Sequence, residues 1–191
     1  MNSLDLLRRL YEHRTWVNHL LLDAAEKLNE EQLRRTFSIG QGTVWRSLMH
    51  LYAAEYVWLD ALLGNPNATL PGDVPGELPG SQTGEGALTT LAELRKQWQE
   101  LEGRWSRYLA ELTEEDLEHP VAKISTSSGR GRRLTTTRAD VLLHLALHAQ
   151  YTTAQVVNML RQLGVQPLPD VMLISLARRQ QPANHLPESN I

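Results

Sequence analysis

The sequence predicts an all-α protein, a four-helix bundle with a long crossover connection after helix two. Four long stretches repeat apolar residues at spacings of three and four, the period of one helix face. A segment rich in glycine and proline divides these stretches into two pairs. With 191 residues, one domain can bury a sizeable core without disulfides. We therefore assign residues 1–176 to a single bundle domain and residues 177–191 to a polar C-terminal tail.

Each predicted helix carries a start signal, a stop signal or a clear apolar period. Ser3 is the predicted N-cap of the first helix, and Thr43 that of the second, which ends at Gly64. The third has the most regular spacing, with apolar residues at Leu91, Leu94, Trp98, Leu101, Trp105, Tyr108 and Leu112. The fourth ends before Gly164.

The connection from Gly64 to Gly86 contains six glycines and four prolines. Such a composition interrupts both helices and strand interiors. A domain linker fits poorly, because neither half of the chain is large enough for a good core of its own. We therefore predict that the connection crosses one end of the bundle and starts the second helix pair.

Composition excludes several classes of protein. The net charge of -3 and the absence of a basic footprint disfavour nucleic-acid binding. The chain has no cysteine, which removes thiol nucleophiles and leaves histidine, aspartate and glutamate as metal ligands. The N-terminal residues mix charges with apolar side chains, unlike a signal peptide or a membrane span. These features predict a cytoplasmic protein that does not enter membranes.

The fourth helix carries a polar stripe without charge. No Asp, Glu, Lys or Arg occurs between Val141 and Leu160. Five polar side chains recur within this stretch at helical spacings: His144, His148, Tyr151, Thr152 and Gln155. A solvent-facing stripe would normally carry charged residues. We therefore predict that this stripe faces a polar pocket inside the bundle.

Two short matches in the same order indicate that the halves of the chain repeat one plan. LNEEQL at 28–33 matches LTEEDL at 112–117. A threonine precedes a histidine by seven residues both in TVWRSLMH, from Thr43 to His50, and in TRADVLLH, from Thr137 to His144. Related helix pairs would pack with approximate two-fold symmetry. The repeat gives the histidines of the second and fourth helices a reason to converge.

His50, His144 and His148 are the candidate metal ligands. Histidines at positions i and i+4 of one helix can bind the same divalent ion, and another helix must supply the third ligand. The alternative is that these histidines are satisfied by hydrogen bonds and bind no metal. Leu145 follows His144, so the glutamate that zinc proteases of the HExxH type require is absent.

A polar segment before the fourth helix, HPVAKISTSSGRGRRLTTT, predicts a small hairpin or an irregular loop. It contains or adjoins four arginines, at positions 130, 132, 133 and 138. Two interpretations remain open for them, a solvated connection and a site for an anionic partner or substrate.

The chain resembles the DinB/YfiT-like superfamily of four-helix bundles with up-down-down-up topology. The resemblance rests on Trp16 and Asn18 in the first helix, on SLMHLYAAEYVWL around His50, and on LLHLALHAQYTTAQVVNMLRQLG in the fourth helix. It covers residues 3–176. It implies a divalent metal such as zinc or nickel, held by one histidine of helix two and two of helix four, and it implies a homodimer.

The resemblance maps His50 onto the helix-two ligand and His148 onto the first ligand of helix four. Thr152 stands where the second is expected, and Gln155 is the one residue kept from the usual HRGQ sequence. A threonine hydroxyl is a poor ligand for zinc or nickel. His144, one turn earlier on the same stripe, is the predicted replacement.

Some proteins of this superfamily transfer thiols such as bacillithiol or mycothiol. The resemblance therefore implies a divalent-metal-dependent enzyme of the thiol S-transferase type with a degenerate histidine site. The alternative is a family member that has lost catalysis and binds a small molecule or a protein partner, in a stress or damage response. Thr152 favours the alternative, whereas the three retained histidines favour the enzyme.

Overall fold

The structure is a computed structural model that describes residues 2–181. Four long helices form the bundle: α1 (Ser3–Ala25), α3 (Val44–Leu62), α4 (Leu91–Glu111) and α5 (Arg138–Gln162). Shorter elements lie between or after them: α2 (Glu30–Arg34), a 3₁₀ helix (Glu115–Glu118), strands β1 (Pro120–Ile124) and β2 (Arg133–Thr137), and α6 (Leu173–Gln180). The predicted all-α, four-helix class is confirmed.

Contacts between the long helices establish their directions. Arg8, early in α1, donates to the carbonyl of Leu109, late in α4, whereas Glu26 just after α1 pairs with Arg95 early in α4. These two helices are therefore antiparallel.

The directions of α3 and α5 follow in the same way. His50 contacts His148, and Trp58, further along α3, contacts His144, earlier in α5, so these two helices are antiparallel. On the other side, Tyr52 contacts Trp98, and Asp60 pairs with Arg104. Since α3 and α4 are thus parallel, the order is up, down, down, up, as the resemblance implied.

Side-chain caps fix where the helices begin. Thr43 and Thr137 accept hydrogen bonds from Arg46 N and Asp140 N, so the threonine caps predicted from the repeat are confirmed. The prediction that Ser3 caps α1 was wrong by one residue. Asn2 is the cap, because its side chain accepts from Asp5 N while the Asp5 carboxylate accepts from Asn2 N, a reciprocal capping box.

A buried polar cluster joins α1 to α3 within the apolar core. Glu55 is only 2% exposed; its Oε1 accepts a hydrogen bond from Asn18 Nδ2 at 2.8 Å and lies 3.3 Å from Arg14 Nε. The Arg14 guanidinium also stacks over the rings of Tyr11 and Trp105. Asn18, one of the residues that carry the family resemblance, is thus a partner of Glu55.

The long connection crosses from α3 to α4 without helix or strand, as predicted. Asp73 holds it together, because its carboxylate accepts from Gly80 N at 2.7 Å and from Gln82 N at 2.8 Å. Gly80, at φ +87°, brings the backbone against α3, where an added Cβ would lie 2.8 Å from Met49 O. The connection therefore packs beside His50.

Strands β1 and β2 form the antiparallel hairpin that was one of two predicted outcomes for this segment. Ile124 N donates to Pro66 O, and Arg130 donates to Gly76 O, so the hairpin is tied to the connection. Arg138 pairs with Asp116. Two of the four clustered arginines thus have structural partners.

The C-terminal part differs from the predicted tail. Helix α6 continues through residues 177–180, where the Arg179 guanidinium lies over Trp16 and Gln180 bonds to Glu12. The remainder of the predicted tail, residues 182–191, lies outside the described residues. Within residues 2–181, no helix combines the length and apolarity that crossing a membrane requires.

Candidate functional site

A cavity of about 790 Å³ lies between α3, α5, the hairpin and the long connection. Its wall combines apolar, imidazole and hydroxyl side chains with one lysine: Gln41, His50, Ala54, Val57, Trp58, Leu78, Pro79, Val121, Lys123, Ser125, Thr126, Ser127, Ser128, Leu134, Thr135, Thr136, His144 and His148. The three histidines singled out from the sequence therefore line one cavity. Its volume suits a small organic molecule.

His50 and His148 meet across the α3–α5 interface. Their Nε2 atoms are 2.9 Å apart, and their ring centroids are 4.9 Å apart in an edge-on arrangement. On its other side, His50 Nδ1 lies 3.4 Å from the carbonyl oxygen of Pro79. With the proton on Nδ1 directed at this carbonyl, Nε2 of His50 keeps a lone pair that faces His148.

His144 lies one turn before His148 on α5. The two ring centroids are 5.7 Å apart, and the Trp58 ring packs edge-on against His144 at 5.6 Å. Ala54, which has a small side chain, lines the cavity together with His50. The imidazoles therefore form a row along one side of the cavity.

Desolvation disfavours the protonated form of all three imidazoles. Desolvation lowers the pKa values of His50 and His144, and the carbonyl of Pro79 opposes the effect at His50 only in part. The pKa of His148 falls to about 4, first because the ring is desolvated and then because both other histidines would repel its charge. A neutral imidazole is the form that binds metal ions.

The paired nitrogens fit two ligands of one metal ion. Two nitrogens at about 2.0–2.1 Å from a metal are separated by about 2.9 Å at a right angle and about 3.3 Å at the tetrahedral angle. The observed 2.9 Å lies at the lower end of this range. No group of three or more His, Asp or Glu side chains within residues 2–181 is arranged to hold a metal. A third ligand would need His144 to rotate.

The other three residues of the predicted stripe do not line this cavity. Tyr151 is 70% exposed on the outside of α5, and Thr152 is buried in the helix packing. Gln155 packs against Gly40, in the loop that precedes α3. Since Gln41 of the same loop lines the cavity, the loop closes this end, and the predicted pocket does not extend beyond His148.

Sequence reasoning missed Lys123. It lies on β1, whose buried residues alternate, so that Val121 and Lys123 share the inward face. Lys123 is 8% exposed, and its Nζ lies 5.3 Å from the centre of the Trp58 ring. The period-two alternation of VAKI could have revealed it, because a strand places residues two apart on the same face.

Glu55 of α3 does not line the cavity, because its carboxylate belongs to the buried cluster with Arg14 and Asn18. None of the described residues that line the cavity is an aspartate or a glutamate. The site thus provides imidazoles, hydroxyls and one ammonium group. Its chemistry rests on neutral nitrogen donors rather than on carboxylates.

Comparisons with known proteins agree with this architecture. Over 166 residues, the chain is 24% identical to Protein DinB of Bacillus subtilis (strain 168), covering 86% of this chain and 90% of that protein. The fold is similar to that of YfiT from Bacillus subtilis, with a TM-score of 0.60, 19% identity, and coverage of 87% and 92% of the two chains. YfiT is described as a probable metal-dependent hydrolase with an unusual four-helix bundle topology. The model of the DinB family matches residues 1–181, and the chain therefore belongs to the DinB family.

Proposed function

We propose that this protein is a divalent-metal-dependent enzyme of the thiol S-transferase type, with His50, His144 and His148 as the metal ligands. The observation that carries the proposal is the 2.9 Å separation of the His50 and His148 Nε2 atoms at the edge of a large cavity. The description of YfiT as metal-dependent supports a metal in this family. Zinc and nickel suit imidazole ligands.

The residues around the metal position would each have a separate role. The Pro79 carbonyl orients His50, since it accepts from Nδ1 and leaves Nε2 for the metal. The Trp58 ring packs edge-on against His144 and is the apolar surface beside which that imidazole would turn toward the metal. When bound, a divalent metal would lower the pKa of a thiol at this position. The apolar wall then excludes water from the reacting sulfur.

The wall of the cavity favours a thiol over water as the nucleophile. The chain contains no cysteine, so the sulfur would come from a small-molecule thiol. None of the described residues in the cavity wall carries a carboxylate that could act as a general base. A thiol with an ordinary pKa near 8.5 needs far less activation than water does.

The reaction would join the thiol to an electrophilic carbon. The thiolate sulfur forms a carbon–sulfur bond, and the bond between that carbon and its leaving group breaks. The leaving group departs with the bonding electrons, and the thiol proton passes to solvent. No oxidant or reductant is required.

Metal analysis of untagged protein tests the metal ligands. We expect about one zinc or nickel ion per chain after incubation with the ion, and a loss of at least tenfold in affinity for His148→Ala and His50→Ala. His13→Ala is the matched control, because His13 bonds to the carbonyl of Val171 outside the cavity. Metal content well below one per chain, unchanged by added ion or by His148→Ala, would overturn the proposal.

Turnover assays test the reaction class. Bacillithiol, mycothiol and glutathione would each be mixed with 1-chloro-2,4-dinitrobenzene, and chloride release would be followed with and without metal. We expect metal-dependent conjugation with at least one thiol. Hydrolysis of p-nitrophenyl acetate without any thiol would instead assign a hydrolase, as YfiT is described.

A binding role without catalysis is the second candidate. The observation that favours it is Thr152, where the family resemblance implies a third histidine; Thr152 is buried and does not line the cavity. A protein of this kind would bind a small molecule in the cavity without metal. Ligand binding together with no turnover over a broad panel of thiols and electrophiles would establish it.

A further inference from the structure

Lys123 is a buried cation without a partner anion. The side chain is 8% exposed. Its Nζ makes no hydrogen bond or ion pair within residues 2–181. It lies over the face of the Trp58 ring, 5.3 Å from the ring centre. Asp60, whose charge raises the pKa of Lys123, forms an ion pair with Arg104 rather than with Lys123. A buried ammonium group is costly unless a charge or a hydrogen bond compensates it.

The ammonium group opens onto the cavity. Lys123 belongs to the wall of the cavity, and its Nζ is not among the fully enclosed polar atoms that lack a partner. The contact with the Trp58 ring offsets only part of the free-energy cost of burying an ammonium ion. Burial accordingly lowers the pKa of Lys123, an effect that Asp60 opposes only in part.

The surroundings of Lys123 select an anion with an apolar body. Among the described residues that form the wall, Lys123 is the only lysine, arginine, aspartate or glutamate. Thr126, Ser127 and Thr135 line the same cavity and make no side-chain hydrogen bond within residues 2–181. Apolar contact surface is provided by Val57, Trp58, Leu78, Val121 and Leu134.

We propose that the cavity binds a small amphipathic organic acid, whose carboxylate pairs with Lys123 and whose apolar part packs against Trp58 and Leu134. The inference rests on the proposed function in that it names the substrate class of the same cavity. Lys123 would position this substrate beside the row of histidines. Lys123 is therefore a specificity-determining residue rather than a metal ligand.

A matched pair of probes tests the charge requirement. The binding of 2-naphthoate and of its neutral analogue 2-naphthamide would be measured by calorimetry at pH 8, on the full-length chain treated with EDTA and again after addition of Zn²⁺. In wild-type protein, we expect the acid to bind at least tenfold more tightly than the amide. Equal affinities, or no binding of either probe, would overturn the inference.

Three variants assign the effect to Lys123. Lys123→Met keeps the apolar length of the side chain, and we expect it to weaken naphthoate binding roughly tenfold to a hundredfold without affecting naphthamide. Lys123→Arg should keep the preference for the acid. Arg133→Met removes one positive charge from the exposed strand β2, outside the cavity, and should leave both affinities unchanged. The same loss in Arg133→Met would contradict a specific role for Lys123.

The measurements on EDTA-treated protein and after addition of Zn²⁺ separate the anion site from the metal site. If zinc fails to bind but the acid preference persists in EDTA-treated protein and depends on Lys123, the anion site stands without the metal enzyme. If zinc binds and the preference is absent, the anion site alone fails. The acid–amide comparison in wild-type protein decides the question even if a variant does not fold.

Discussion

His148 lies between the other two imidazoles of the cavity. Its Nε2 is 2.9 Å from that of His50, and its ring centroid is 5.7 Å from that of His144. A proton on His148 would thus lie in a desolvated position beside two more rings. The fold holds this residue in its neutral form at physiological pH. Because the Nε2 lone pair of His50 faces it at 2.9 Å, His148 Nε2 carries the proton in the metal-free protein and would give it up on binding a metal.

The pKa of His148 predicts how stability varies with pH in metal-free protein. The ordinary pKa of 6.5 falls to about 4 in the folded state, chiefly through desolvation. Between these values the unfolded chain binds more protons, so the free energy of unfolding decreases as the pH falls from about 6.5 to about 4. The contribution is on the order of 1–3 kcal/mol, reduced because solvent reaches part of the ring.

Urea unfolding of EDTA-treated protein at a series of pH values between 7 and 4 would measure this contribution. In His148→Gln, the decrease in the free energy of unfolding over this interval should be smaller than in wild type. Parallel pH profiles for the two proteins would show that His148 titrates normally in the fold.

The sequence could identify individual histidines but not the lysine opposite them. His50, His144 and His148 stand out because long helices repeat every three to four residues, and a 25-residue helix gives several repeats. Lys123 lies in a five-residue strand, where the alternation spans only two inward positions. Its burial also depends on α3, which packs against β1 although the 57 residues from 63 to 119 separate the two elements.

Helix α5 shows where periodicity stops being informative. The spacing placed Tyr151 and Gln155 on the same stripe as the two histidines, and their angular positions on the helix are close to it. The cavity ends after His148 because the loop containing Gly40 packs against Gln155. Beyond His148, the loop that contains Gly40 covers Gln155, and Tyr151 is exposed to solvent.

The long connection is the element that positions His50. Gly80 has φ +87°, and its Cα lies so close to α3 that a Cβ would be 2.8 Å from Met49 O and 3.1 Å from the Cα of His50. Pro79, the preceding residue, provides the carbonyl for His50 Nδ1. The close approach of the backbone thus orients the imidazole.

Gly80→Ala should push the connection away from α3. We expect a loss of roughly 1–3 kcal/mol in the free energy of unfolding, because the left-handed φ and the backbone clash both disfavour a Cβ. We also expect weaker Zn²⁺ binding, measured by competition with a chromophoric chelator, because His50 loses its orienting carbonyl.

Gly86→Ala is the matched control for this substitution. Gly86 has a similar φ of +77°, but no atom lies within 4 Å of an added Cβ. It should therefore show the cost of the backbone conformation, about 1 kcal/mol, without a change in Zn²⁺ affinity. Equal effects of the two substitutions on Zn²⁺ binding would argue against a role of the connection in orienting His50.

At the scale of the whole molecule, composition and spacing were sufficient for the architecture. Four long helices and a crossover followed from the apolar period and the glycine- and proline-rich segment, and the observed helices agree. The directions of the helices came from the family resemblance. The volume of the cavity could not be predicted, because it depends on how the hairpin and the connection meet through Arg130 and Gly76.

The outer face of α5 carries a row of exposed apolar side chains. Leu143, Leu147 and Tyr151 follow one another at four-residue spacing and are 44%, 71% and 70% exposed. Leu143 and Leu147 also line a groove of about 310 Å³ with Leu173 at the start of α6. A contiguous apolar surface of this kind marks an interaction site more often than free solvent exposure. We propose that a second copy of the chain covers it.

Leu147→Glu tests this assembly, because it places a charge at the most exposed position of the apolar row. Light scattering during size-exclusion chromatography should give about twice the chain mass of 21.6 kDa for wild type and the monomer mass for the variant, since an unpaired buried carboxylate disfavours association.

Leu63→Glu is the matched control, because Leu63 is 59% exposed at the end of α3, away from the row, and it should remain dimeric. Wild-type protein that is monomeric at every concentration would refute the assembly, and dissociation by Leu63→Glu as well would place the interface elsewhere. The cavity faces the hairpin rather than the outer row, so a monomeric Leu147→Glu that still binds Zn²⁺ would show that each chain contains a complete site.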